Sequence, residues 1–412
     1  MNFNTDWEKV KLGEIGDVVT GKTPSTSEEN NFGEKYPFVT PKDMNKKKYI
    51  LETERFLSEE GIESVKNSII EGVSVCVSCI GSDMGEVVMV EGEVITNQQI
   101  NSITNIKDNY NPDFVYYCLK PMKNYFHKIA GGSTMPILNK KDFSNIKVRI
   151  PSLEKQKEIA DILSSLDDKI ELNKKTNQTL EEIAQAIYKS WFVDFEPFQD
   201  GEFIDSELGK IPKGWEVGTI GELTKVQNGY AFKSKNLKEE GCAGVIKIRN
   251  VKESVDIAHT QFISKSIEKE IHDRYKIKSN SILIALTGEV GRIGLVPKNK
   301  KKLYLNQRVG MLKPKSKTKR DYLYCALSTD YYRKMIEKRA GGSVQQNVSA
   351  TAIEELSMIV PPEEIMNNFS NIIRDLILKI SENYYENYTL KNLRDTLLPK
   401  LMSGEIRVNT DK

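Results

Sequence analysis

The chain has 412 residues, of which 39% are hydrophobic and 29% charged, and its formal net charge is +2. A chain of this length holds about two to three domains at roughly 100–200 residues each, and the composition excludes a disordered protein. The near-neutral charge excludes a protein that grips nucleic acid over its whole surface, and leaves room for a local basic patch or for partners that supply phosphate contacts.

The opening MNFNTDWEKVKLGEIG lacks the apolar core of a signal peptide. No apolar run approaches the roughly 18 residues of a membrane span, so the cytoplasm is the expected location. Short β-type runs, broken by Gly, Pro and Asn, fill the first 150 residues. Cys76 and Cys79 lie in one of them, VSVCVSCIG, which predicts a buried strand. Zinc would need two further ligands, and Cys118, Cys242 and Cys325 offer no second pair. Asn111-Pro112-Asp113-Phe114 is one residue from the NPPF-type motif of adenine methyltransferases, but Asp takes the third place and no glycine-rich cofactor loop precedes it. The predicted role is structural: Asn111 caps a helix, Pro112 opens it, Asp113 complements its dipole, and Pro121 bends or divides it.

After Pro151 comes a long helix with an unbroken four-and-three spacing: Ile159, Leu163, Leu166, Ile170, Asn173, Asn177, Leu180, Ala184, Ile187 and Trp191. That is the seam of a coiled coil. The whole order then returns with a period near 210 residues, too long for a solenoid repeat. WEKVKLGEIG (Trp7 to Gly16) returns as WEVGTIGEL, PFVTPKDM as GVIKIRNV, and VCVSCIGSDMG as ILIALTGEVG. Asn97-Gln98 returns as Asn306-Gln307, AGGST as AGGSV, and RIPSLEKQ as IVPPEEI with Pro361 in the place of Pro151. Within the second half, GEVGRIG (Gly288 to Gly294) lacks a Walker lysine and dinucleotide spacing, and predicts a tight strand turn. Pro297 to Arg320 carries ten Lys or Arg and no acid. His127, His259 and His272 stand in no metal spacing.

The second long helix repeats the seam: Phe369, Ile373, Leu376, Ile380, Asn383, Asn387, Leu390, Arg394, Leu397 and Leu401. Asparagine in a seam is costly unless it meets a polar partner, and its use is to fix register. Antiparallel packing about a pseudo-two-fold axis pairs the asparagines, but parallel packing would also match them, so the pattern alone does not choose. The whole domain between the helices and the duplication favour the two-fold arrangement. A helix of about 38 residues is about 57 Å long, more than one turn of DNA at about 34–36 Å.

The end of the first helix, AIYKSWFVDFEPF (Ala186 to Phe198), resembles the central signature of Type I restriction-modification specificity subunits. LLPKLMSGEIRV (Leu397 to Val408) resembles their C-terminal signature, and the resemblance covers the whole chain. It implies an α+β fold of two duplicated β-rich α/β target-recognition domains, joined by two long helices in an antiparallel coiled coil with pseudo-two-fold symmetry. The expected boundaries are residues 1–151 and 201–361 for the recognition domains, with 152–200 and 362–412 as the helical spacers. It also implies double-stranded DNA as ligand, one half of a split target per domain, with the coiled coil setting the separation. Two methyltransferase subunits and, in some systems, restriction subunits are the implied partners. S-adenosylmethionine would belong to the methyltransferase, leaving this chain without a cofactor, a metal or a catalytic residue.

Bases are read by Arg, Lys, Asn, Gln, Ser and Thr, and phosphate is held by Lys and Arg. Polar residues on turns at equivalent places in both halves are therefore the expected contacts. In the first half these are Lys22, Thr23, Ser25, Thr40, Lys42, Asp43, Asn97, Gln98, Ser133 and Thr134. In the second they are Tyr230, Lys233, Ser234, Lys247, Arg249, Asn250, Gln307, Arg308, Ser343, Gln345 and Gln346, with Lys298, Lys300, Lys301 and Lys302 as phosphate contacts. Phe192 and Phe195 are too apolar for a bare helix end, and are expected to meet a partner or the neighbouring domain. Two other classes stay open on the residues alone: a self-contained methyltransferase or nuclease with two recognition domains, and a coiled-coil adaptor that binds only protein. Missing cofactor and metal motifs weigh against the first, and the basic stretch with the duplicated domains against the second.

Overall fold

A computed structural model describes residues 7–44, 47–131, 136–341 and 346–408. The chain forms two compact units, Met1–Lys169 with Leu390–Lys412, and Ile170–Thr389. Both units cut across the long helices, where the sequence reading set each helix apart as a segment of its own. Among the described residues no helix is long and apolar enough to cross a membrane.

In the first unit a four-stranded antiparallel sheet runs in the order Asp17–Thr20, Ile100–Thr104, Ser74–Ser78, Val87–Val90. A second, mixed sheet carries Tyr36–Val39 parallel to Val94–Thr96 at its centre. Ser74–Ser78 is buried at every residue, which suits its run of β-branched and small side chains. Burial pushes the thiols of Cys76 and Cys79 up to about 12, so both stay protonated and inert at neutral pH. Asn111 does cap the helix Pro112–Leu119, accepting from Phe114 N at 2.9 Å. A single 3-10 turn, Lys120–Met122, then divides it from Lys123–Ile129 at Pro121.

The second unit repeats this plan, with the sheet Thr224–Asn228, Val309–Pro314, Ile282–Ala285, Ile293–Leu295. The GEVGRIG segment makes the turn between Ile282–Ala285 and Ile293–Leu295, with Gly288 and Gly291 at φ 73° and 80°. A hairpin, Phe203–Ser206 with Gly209–Pro212, precedes the repeated opening strand Glu216–Thr219.

The long helices span Leu153–Phe192 and Glu363–Met402. In the first unit Ile159 and Leu163 are buried in the same cluster as Leu398 and Leu401. In the second, Asn173 Nδ2 donates to Asn387 Oδ1 at 3.0 Å and Asn383 Nδ2 to Asn177 Oδ1 at 2.8 Å. The amides of Asn177 and Asn387 reach the seam backbone, at Ile380 O and Ile170 O, both at 3.3 Å, and Asn173 Nδ2 also donates to Glu386 at 2.8 Å. These pairs fix an antiparallel orientation, the choice the spacing left open. Arg394, the one charged seam residue, turns to Asp167 at 2.5 Å, whose other oxygen accepts from Tyr117 at 2.8 Å.

Of the two covers expected for Phe192 and Phe195, a partner or the neighbouring domain, the structure supplies the neighbouring domain, and the assignment of both as partner-binding residues is corrected. Phe192 is 2% exposed and lies 4.8–5.7 Å, centre to centre, from the rings of Phe369, Tyr322 and Trp215. Phe195 takes a left-handed φ of 56° just past the helix end, which folds its ring back to 5.6 Å from Trp215. The aromatic end of the signature helix is therefore covered by its own unit, because the returning tryptophan of the repeat lands on it.

Candidate nucleic-acid interface

The turn joining Val94–Thr96 to Ile100–Thr104 is the hub of the first site. Asn97 shapes it: Oδ1 accepts from Gln99 N at 2.9 Å and its carbonyl from Ile100 N at 3.1 Å. Three neighbouring segments are tied to this turn through backbone. Asn97 N donates to Val39 O at 2.9 Å, at the start of the Thr40–Asp43 turn. Gly21 N donates to Ile100 O at 3.1 Å, which lays Lys22, Thr23 and Ser25 alongside. Cys79 N donates to Gln99 O at 2.7 Å, and Leu138 N to Cys79 O at 2.9 Å, which ties Leu138 to the turn. Ser133 and Thr134 lie outside the described residues.

The same hub is built in the second unit. Asn306 N donates to Ile246 O at 3.1 Å and Val309 N to Asn306 O at 2.9 Å. Tyr230 N donates to Leu305 O at 2.8 Å, Gln307 N to Tyr230 O at 3.0 Å, and Leu286 N to Arg308 O at 3.1 Å. Val348 N, at 3.0 Å from Leu286 O, brings in the segment that carries Gln346; Ser343 and Gln345 lie outside the described residues. A Cβ on Gly21 would lie 2.1 Å from Thr96 O, and one on Gly229 the same distance from Asn306 O. Only glycine lets either loop close on its turn.

Lys22, Ser25, Lys42 and Gln98 are exposed at the first hub, and Lys233, Ser234, Arg249, Gln307, Arg308 and Gln346 at the second. Four expectations change. Asn250 is 2% exposed: it accepts from Lys247 N at 3.0 Å and donates to Asp256 O and His259 O, so it pins a turn and has no face for a base. Asp43 does the same work in the first unit, taking Thr40 N at 2.8 Å, the Thr40 hydroxyl at 2.6 Å and Glu54 N at 2.9 Å. The Tyr230 ring is packed edge-on between Phe232 and Tyr275, at 5.0 and 5.6 Å. Lys247 is half-buried with its ammonium on Gln261, and desolvation together with the Arg249 charge holds its pKa below the ordinary lysine value.

The basic stretch is also corrected. It has no acid within its own sequence, but the fold brings acids to it. Lys298 Nζ lies 3.0 Å from Glu382 on the second long helix, and Lys302 Nζ 3.1 Å from Glu268. Lys301 donates to Ile257 O at 2.9 Å and sits 4.5 Å from the centre of the Tyr388 ring. Lys300 is exposed. Three of the four lysines thus fasten the loop, one of them to its helix by charge and one by stacking.

Three residues of the hubs escaped the sequence reading. Gln99 stands where Arg308 stands in the other half, half-buried, with Oε1 accepting from Asn97 Nδ2 at 3.3 Å. Extending the Asn-Gln match by one residue would have found it. Gly21 and Gly229 could have been found as glycines that end the equivalent strands. Among the described residues no three His, Cys, Asp or Glu could together hold a metal ion.

Residues 4–182 and 212–395 match the Type I restriction modification DNA specificity domain, once in each half. The chain is 32% identical to the MjaIX specificity subunit, a Type I restriction enzyme component of Methanocaldococcus jannaschii, over 98% of this chain and 94% of that one. It is 25% identical to the HindI specificity subunit of Haemophilus influenzae, over 98% and 100% of the two chains. A crystal structure of the S subunit of a Type I restriction-modification system from M. genitalium shares the fold, with a TM-score of 0.62 at 19% identity over 97% of this chain and 96% of that one.

Proposed function

Because the chain belongs to the Type I restriction-modification DNA specificity family, we propose that each unit reads one half of a split target in double-stranded DNA through its Asn-Gln hub. The chain is a DNA sequence-specificity subunit and not itself an enzyme. One observation carries the assignment of the site: the same turn is built twice around a shared Asn-Gln pair but carries an unlike next residue, Gln99 half-buried in one unit and Arg308 exposed in the other. A reader of two different half-sites needs that combination of a common frame and unlike groups. Lys22, Lys42, Lys233, Arg249 and Lys300 are the matching choices for phosphate.

On this reading two methyltransferase subunits are the partners, and restriction subunits join where the system cleaves. S-adenosylmethionine is held by the methyltransferase. The motif that most resembles cofactor chemistry here, Asn111-Pro112, is spent on a helix cap. The two 40-residue helices are the elements we assign to half-site spacing.

Domain exchange tests the assignment. Replacing residues 1–151 by the corresponding domain of a relative, followed by sequencing of methylated DNA, should change one half of the methylated motif and leave the other. A change in both halves would overturn the one-unit-one-half-site reading.

A further inference from the structure

The two hubs differ at one point that the repeat itself exposes. In the first, the Thr23 hydroxyl donates to Oε1 of Gln98 across 75 residues of sequence. Counting from the equivalent glycines, Gly21 and Gly229, the counterpart of Thr23 is Ala231, which has no hydroxyl. We infer that Thr23 is a positioning residue for base recognition: it latches the Gln98 carboxamide by its oxygen, leaving the amide hydrogens as donors to a base and turning the first unit against cytosine.

This inference rests on the reading of the hub given above. The backbone of the turn is already fixed on both sides, by Val39, by Gly21 and by Cys79. What remains free at Gln98 is a long exposed side chain with three rotatable bonds. A side chain that must be ordered on binding loses affinity, and one ordered beforehand does not. Thr23 does that ordering, and Gly21 is what allows the loop to come close enough. The choice of atom has a chemical consequence. With the carbonyl oxygen engaged, the outward end of the amide is Nε2 with two hydrogens. In the major groove adenine, guanine and thymine all offer an acceptor, whereas cytosine offers only its N4 donor. A latched Gln98 therefore accepts any of three bases and meets cytosine donor to donor. In the second hub Ala231 offers no latch to Gln307, the counterpart of Gln98, and the exposed neighbour is Arg308, a planar fork that loses less freedom for each hydrogen bond it makes.

The test compares Gln98→Ala, Thr23→Val, Thr23→Ser and the double variant Thr23→Val/Gln98→Ala. Each is assembled with the methyltransferase subunit, and methylation rates are measured on DNA carrying each base at each target position. Gln98→Ala should lose about 5- to 100-fold discrimination against cytosine at one position, the range expected for one base contact. Thr23→Val should lose roughly 3- to 10-fold at the same position, as expected for a single neutral hydrogen bond. Thr23→Ser, which keeps the hydroxyl, should stay near wild type, and the double variant should match Gln98→Ala alone. If Thr23→Val keeps full discrimination while Gln98→Ala loses it, or if Thr23→Ser fails like Thr23→Val, the positioning role is overturned. If Gln98→Ala itself leaves every position unchanged, the reading of the hub falls, and the latch with it.

Discussion

The two units are fastened to the long helices by a carboxylate at the same place in the repeat, but with different chemistry around it. In the first, Asp113 is partly exposed and pairs at 2.6 Å with Lys48, whose buried ammonium also donates to Ser164 on the helix at 2.7 Å. The faces of Tyr49 and Tyr117 lie 5.4 and 5.1 Å from that ammonium. In the second, Asp321 is wholly buried and meets Arg320 at 2.5 Å, Arg374 at 3.3 Å and the Ser370 hydroxyl. Beside it the rings of Tyr188, Phe192, Tyr322 and Phe369 share one cluster. A buried ion pair adds little net stability over an apolar substitute, but breaking one leaves a charge stranded. Duplication has thus kept the position of the anchor while its partners changed from a lysine and phenol rings to two arginines in an aromatic core.

The largest expected effect breaks that parallel. Asp321→Ala strands two guanidinium groups, and should destabilise the second unit by about 3–5 kcal/mol. Asp113→Ala strands one buried ammonium, which keeps the Ser164 hydroxyl and the faces of Tyr49 and Tyr117, and should cost the first unit about 1–3 kcal/mol. Chemical unfolding followed separately in each unit, by hydrogen exchange, measures both; equal losses would mean the anchors are not different in kind. A smaller effect sharpens the comparison at the surface. Changing Lys298, Lys300, Lys301 and Lys302 together to Ala should lower the salt slope of DNA binding by about 0.9 or less, the value for one phosphate. The other three are held by Glu382, Glu268 and Tyr388. A fall of about 3 to 4 in a salt titration with the methyltransferase present would show that those contacts open onto DNA.

The smallest effect concerns pH and the second unit alone. Burial raises the carboxyl of Glu181 above its usual 4.5, the negative charge of Glu253 adds to the shift, and the Tyr384 hydroxyl donating at 2.9 Å opposes it. Between 4.5 and the raised value the folded unit holds more protons than the unfolded chain. Stability therefore falls as pH rises through that window, and the penalty is complete above it. Glu181→Gln should be more stable than the parent at neutral pH, with the gap closing as pH falls to about 4.5. Melting curves across that range read the difference, and a gap that widens toward acid would reverse the sign argued here.

Much of the frame was legible because it is periodic. The seam positions, the two asparagine pairs and the repeated Asn-Gln turn are regularities of spacing, and spacing is what a sequence records directly. The cap at Asn111 and the divided helix at Pro121 followed from local chemistry. What failed was everything decided by contacts distant in the chain. Nothing near Lys298 in sequence announces Glu382, 84 residues away. Asn250 has the chemistry of a base reader, and only the fold shows its amide turned inward to two carbonyls. Phe192 and Phe195 were legible as rings that something must cover, but the choice between a partner and the neighbouring domain turned on Trp215, which lies on the far side of a hairpin.

The ties that hold each hub in place run between backbone atoms, apart from the asparagine that shapes the turn. Mutation at Gln98, Gln307 or Arg308 therefore touches no bond on which folding depends, and exposed substitutions of this sort usually shift stability by no more than about 0.5 kcal/mol. The glycines behind the turns have no such freedom. In a lineage this separates what can drift from what cannot. If the hubs read bases as proposed, a descendant can acquire a new target one nucleotide substitution at a time, each intermediate still folded, while the loop and strand that present the altered side chain are inherited unchanged.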